Sequence, residues 1–136
     1  MVAFDIDGIF IPNWNESTDL DFYLKTKYMW KPLFEPKFPY YMITSRPIED
    51  KDKTIKWVNE NFINSPSILF CENYYGLGED NAVKYKADVI SKHKEIDIFV
   101  ESEINQVVKL KKILDDVCIL HYETMIGVML ENLSSV

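Results

Sequence analysis

The chain has 136 residues, 47% hydrophobic and 14% aromatic, with a formal net charge of −7. That length fits one domain over 1–136, and the apolar content excludes an intrinsically disordered chain. The acidic balance disfavours a nucleic-acid coat or a membrane-surface protein, and no apolar run reaches the roughly 18–20 residues of a membrane span.

The chain opens on a short apolar run at 2–4 that ends in Asp5-Ile6-Asp7-Gly8. The first residues lack the basic region of a signal peptide, so a cytoplasmic setting is expected. The stretch 13–39 carries Trp14, Phe22, Tyr23, Tyr28, Trp30, Phe34 and Phe38, with prolines in its second half. It predicts a small helical or irregular flap over about 14–38. A second apolar run, 40–43, ends in Thr44-Ser45-Arg46-Pro47. Residues 49–62 follow as a charged helix with Ile55, Trp57, Val58 and Phe62 as its apolar stripe. A third run, 67–70, ends at Cys71, and a loop with Gly76 and Gly78 comes next. A lone pair of glycines reads as a turn.

Residues 81–93 space Val83, Ala87 and Ile90 as a second amphipathic helix. The run 96–100 ends at Glu101. A third helix, 103–115, places Ile104, Val107, Val108, Leu110 and Leu114 on one side. The run 117–120 ends at His121, and the tail 124–133 spaces Met125, Met129 and Leu133 by four. Nearly continuous apolar runs alternating with amphipathic helices predict an α/β fold, a Rossmann-like doubly wound parallel sheet of about five strands flanked by helices. Cys71 and Cys118 lie in or beside apolar runs, which predicts buried, reduced thiols. No Cys/His cluster has zinc spacing.

Ligands of open α/β sheets bind beyond the carboxyl ends of the strands, and that is where the reactive residues sit. Asp5 and Asp7 would face the same side of an extended stretch, and two such anions favour a hard cation between or beside them. An ordinary acidic turn is the other reading. Thr44 and Ser45 suit a phosphate oxygen or a helix cap. Arg46, the single arginine, either contacts a substrate phosphate or braces its loop. Lys84 and Lys86 are both candidates for a site lysine. On a helical wheel Lys86 falls on the apolar stripe, where a lysine needs an anionic partner, whereas Lys84 points away. Glu101 follows its strand directly and is a candidate metal ligand, while Glu103 suits an acidic helix start.

In this order (acid-x-acid-Gly, Thr/Ser, Lys, acid) the sequence resembles the haloacid dehalogenase superfamily of phosphatases and phosphotransferases. Asp5-Ile6-Asp7-Gly8 looks like its first motif, Thr44 its second, Lys86 its third and Glu101 its fourth. Ile43-Thr44-Ser45-Arg46-Pro47, with Thr54, Trp57 and Val58 downstream, is similar to small phage and bacterial members, so the expected cytoplasm would be the host's if the protein is a phage or viral product. The fourth motif departs from the family pattern, with glutamate where aspartate is usual.

The resemblance implies a Mg2+-dependent phosphomonoester hydrolase. Asp5 would be the nucleophile and Asp7 the acid and base. Asp5, Asp7 and Glu101 would hold the metal. Thr44, Ser45, Arg46 and Gly8 would meet the phosphoryl group, and Lys86 would neutralise charge. The 36 residues between Asp7 and Thr44 and the 39 between Arg46 and Lys86 leave no room for a separate cap domain. An open site admits a phosphorylated small molecule, a nucleotide or a nucleic-acid end, or closure by another subunit in an oligomer. The flap aromatics either stack a base or pack on the core, and packing is the expectation. The alternative is a catalytically silent relative that binds phosphate, metal or a protein partner without turnover.

Overall fold

The computed structural model describes residues 1–13, 19–46, 48–70 and 78–134. Trp14, Pro47, Cys71 and Gly76 lie outside them, so the expectations placed on those residues are not addressed.

Five strands form one all-parallel sheet: β1 (Val2–Phe4), β2 (Tyr40–Thr44), β3 (Ser67–Phe70), β4 (Ile98–Glu101) and β5 (Cys118–His121), in the order β3-β2-β1-β4-β5. The helices are α1 (Leu20–Thr26), α2 (Lys51–Asn61), α3 (Glu79–Lys92), α4 (Ile104–Ile113) and α5 (Tyr122–Ser134), with short 3-10 turns at Lys27–Met29 and Ile48–Asp50. The fold is Rossmann-like, and the chain order reverses between β1 and β4, the point at which such sheets open a crevice. No helix among the described residues is long and apolar enough to cross a membrane.

Successive side chains of a strand point to opposite faces of the sheet, and here both faces are covered. Ala3, Ile43 and Phe99 pack with Val83, Ala87 and Ile90 of α3 and Val107 and Leu110 of α4. Their neighbours Phe4, Met42 and Val100 pack with Trp57 and Val58 of α2 on the other face. That is why the strands read as unbroken apolar runs. α3 buries the stripe expected of it, and the stripe of α2 buries Trp57, Val58 and Phe62 with Ile55 half-buried, but α4 departs. There Ile104 and Val108, expected on the packed side, are 49% and 47% exposed. Val108 lies about 100° round the helix from the buried Val107, and Ile104 opens the first turn. Cys118 also departs from the expected burial. It is an exposed free thiol, because it begins β5, an edge strand with a neighbour on one side only.

The flap divides its aromatics. Phe34 sits 5.1 Å from Phe10, and Phe38 stacks on Phe4 at 6.3 Å. Phe22 and Trp30 are exposed, as is the neighbouring Met29, and Phe38 keeps about half of its surface in solvent despite its contact with Phe4. Asp19 caps α1 by accepting the Phe22 N–H at 3.0 Å. Trp57 Nε1 donates to the Trp30 carbonyl at 2.9 Å, which ties the flap to α2. At the opposite end of the sheet the Met1 ammonium donates to the Glu95 carbonyl at 2.8 Å and to Asp97 Oδ2 at 2.7 Å.

Candidate active site

Strand register explains which reactive residues meet. Phe4 pairs with Val100 and with Met42. One step further along parallel strands, Asp5 therefore stands beside Glu101, and Thr44 lies level with Ile6. The Asp5 N–H still donates to Val100 O at 3.0 Å, so the carboxylate is fixed at the last rung of the sheet. The chain then turns, with Phe10 N donating to Ile6 O at 3.1 Å and Gly8 N to Ile11 O at 2.8 Å. Gly8 takes φ +84°, and a Cβ there would stand 2.6 Å from Ser102 Cβ. Glycine is required because the turn after β1 lies directly against the loop after β4.

Two linked clusters result. In the first, Lys86 reaches from α3 to both carboxylates. Its Nζ donates to Glu101 Oε1 at 2.5 Å, to Asp5 Oδ2 at 3.3 Å and to Gln106 Oε1 at 2.9 Å. Ser102 Oγ donates to Asp5 Oδ2 at 3.2 Å. The other oxygen of Glu101 accepts the Ser102 N–H at 2.6 Å, which shapes the entry to α4. Glu101 and Lys86 are 0% and 2% exposed. Burial and the adjoining Glu101 carboxylate push the Asp5 carboxyl well above the usual carboxylate range. Burial would lower Lys86, but the charges of Asp5 and Glu101 outweigh it and raise it. Burial would likewise raise Glu101, and Lys86 holds it down.

In the second cluster, Arg46 binds Asp7 through two bonds, Nε to Oδ2 at 2.9 Å and Nη2 to Oδ1 at 2.7 Å. Arg46 Nη1 donates to Thr54 Oγ1 at 3.2 Å, and Tyr23 OH donates to Asp7 Oδ1 at 3.3 Å. Against the effect of burial, the Arg46 hydrogen bonds and charge hold the Asp7 carboxyl below the usual range. Thr44, buried, accepts the Arg46 N–H at 3.1 Å through Oγ1, which leaves its hydroxyl proton to donate elsewhere.

Both clusters open on one cavity of about 410 Å3, whose lining includes Asp5, Asp7, Ser45, Lys86 and Ser102. A larger cavity, about 700 Å3, lies apart from this chemistry between α2, β3 and α3, around Ile55, Ile68 and Val89. The sequence-predicted residues are thus brought together, with Lys86 rather than Lys84 inside the site. Arg46 braces Asp7. Sequence reading missed Tyr23, Ser102 and Gln106. Ser102 and Gln106 follow Glu101 within five positions, and that proximity was the available signal. Tyr23 had none beyond its place in the flap.

The donor set suits a hard divalent cation. Asp5 and Glu101 are two buried carboxylates sharing one ammonium, which leaves negative charge uncompensated. Mg2+ commonly uses one or two carboxylates and completes its shell with water and substrate oxygens. No group of three or more His, Cys, Asp or Glu side chains that could hold a metal ion converges among the described residues; Asp5 and Glu101 are two carboxylates joined through Lys86. No protein family model matches the chain, and no curated protein or solved structure is significantly similar to it.

Proposed function

We propose that the protein is a Mg2+-dependent phosphomonoester hydrolase of the haloacid dehalogenase type, acting on a phosphorylated small molecule or nucleotide. The observation that carries this reading is the junction of Asp5, Lys86 and Glu101 beside Asp7 at the carboxyl edge of the two central strands. Clustered buried charges with shifted protonation beside a cleft favour a functional site over a purely structural ion-pair network.

Asp5 attacks phosphorus, the bond to the leaving oxygen breaks, and an aspartyl-phosphate forms. Water then attacks that phosphorus, its proton passes to Asp7, and phosphate leaves with the Asp5 carboxylate restored. Arg46 holds Asp7 ionised, the form that takes a proton. Leaving groups that depart as weakly basic anions need least protonation, which makes an aryl phosphate the apt first substrate. Lys86 orients Asp5 and offsets charge on the incoming group. Thr44 has a hydroxyl proton for a phosphoryl oxygen. Asp5, Glu101 and the Asp7 carbonyl would hold Mg2+, which when bound supplies the positive charge that lets an anion approach two carboxylates.

The test is hydrolysis of an aryl phosphate by the purified protein with and without Mg2+, beside Asp5→Asn. Mg2+-dependent turnover lost in the variant supports the reading. Wild type and variant releasing phosphate equally would sink it, and inorganic phosphate or Mg2+ binding without turnover would identify a silent binding domain.

A further inference from the structure

Arg46 is the only arginine of the chain, and the fold encloses it, with 4% of its side chain exposed. Three elements converge on its guanidinium. Asp7, after β1, takes two of its donors and Thr54, on α2, a third. The Tyr28 ring, from the turn after α1, lies with its centroid 5.3 Å from Arg46 Cζ. Lys27 Nζ is 5.1 Å from the same centroid, itself paired with Asp50 at 2.8 Å.

We propose that Tyr28 is a positioning residue: its ring is the wall that sets the plane of the Arg46 guanidinium, and through that plane the orientation of Asp7. The two bonds to Asp7 fix the carboxylate only if the guanidinium plane is itself fixed. Thr54 holds one edge of that plane, and a ring face attracts the delocalised cation across its flat side. Tyr23, also on the flap, reaches Asp7 at Oδ1, the oxygen that also accepts from Arg46 Nη2. The Tyr28 hydroxyl is buried and has no hydrogen-bond partner among the described residues, so what the residue contributes here is its ring. The flap thereby gains a task in the site that requires no contact with substrate.

The role of Asp7 in turnover rests on the phosphatase reading; the hold on Arg46 does not, and the experiment separates them. A chain with one arginine gives one arginine Nε–H signal in a 15N-labelled sample, assigned by that fact alone. In the wild type this proton, buried and bonded to Asp7 Oδ2, is expected to exchange slowly with water. Tyr28→Phe keeps that protection, whereas Tyr28→Leu and Tyr28→Met, the second a flexible chain of similar reach, lose about ten-fold of it. Circular dichroism establishes that each variant is folded.

With aryl phosphate and Mg2+, the Leu and Met variants lower kcat about ten-fold with KM within about two-fold, and Tyr28→Phe restores kcat. Unchanged Nε–H protection in either folded Leu or Met variant overturns the proposal. So does a Phe variant as impaired as the Leu one, or a loss carried by KM alone. Protection that responds as expected in a protein with no turnover refutes the phosphatase reading and leaves the hold on Arg46 standing.

Discussion

At the residue scale, Asp5 and Glu101 share one lysine in a buried place, and the second carboxylate costs stability there. Replacing Asp5 by Asn keeps an acceptor for Lys86 and Ser102 but removes the second negative charge. In metal-free protein Asp5→Asn should raise stability by about 1 kcal/mol at neutral pH. A raised folded pKa penalises the ionised form, so this gain should fade as pH falls toward the ordinary aspartate value of 3.8. Denaturant melts at neutral and acid pH measure both. Lys86→Met leaves the two carboxylates without a counter-charge and should cost about 3–5 kcal/mol. The Asp7–Arg46 pair has the opposite sign from Asp5. Asp7 is lowered from 3.8, so the pair's contribution is complete above that value and lost as pH falls through the depressed one. Arg46→Gln should therefore lie about 2–3 kcal/mol below wild type near neutral pH, and the gap should close in strong acid.

At the element scale, the turn after β1 and the loop after β4 fit only because Gly8 has no side chain. Gly8→Ala adds both a strained φ and a contact with Ser102, for a loss of about 2–4 kcal/mol in thermal or denaturant melts. Ser102→Gly in the same chain should recover part of it, the remainder being the backbone strain. Strands and helices were legible in the sequence, because burial on both faces leaves unbroken apolar runs and burial of one stripe leaves a helical period. Lys86 was legible for the same reason, as a charge placed on an apolar stripe. Asp5, Thr44 and Glu101 were legible because strand ends are where open sheets place chemistry. The part the flap tyrosines take around Asp7 and Arg46 was not. Tyr23 and Tyr28 come from a segment whose aromatics follow no period, and their task depends on how that segment folds back over β1 and α2. The exposed side of α4 was misjudged because apolar residues at both edges of a stripe widen it beyond what the core can cover.

At the scale of the whole molecule, the two carboxylates are joined to the sheet on adjacent strands, so a cation bound between them is linked to folding. Mg2+ at about one hundred times its dissociation constant should add about 2.7 kcal/mol and raise the melting temperature by several degrees. Glu101→Ala should blunt that rise, read by calorimetry across a Mg2+ titration. The central strand is also the first one in the chain. β1 lies between β2 and β4, so one of its hydrogen-bonding edges waits for a partner encoded almost one hundred residues later. During synthesis, a nascent chain that has emerged only as far as α3 would present an apolar strand with an open edge, a species that chaperones recognise and that aggregates when they are scarce. The same wiring separates Asp5 from Glu101 by 96 residues of sequence, so the two carboxylates and the lysine they share cannot meet until β4 has been made and has taken its place beside β1.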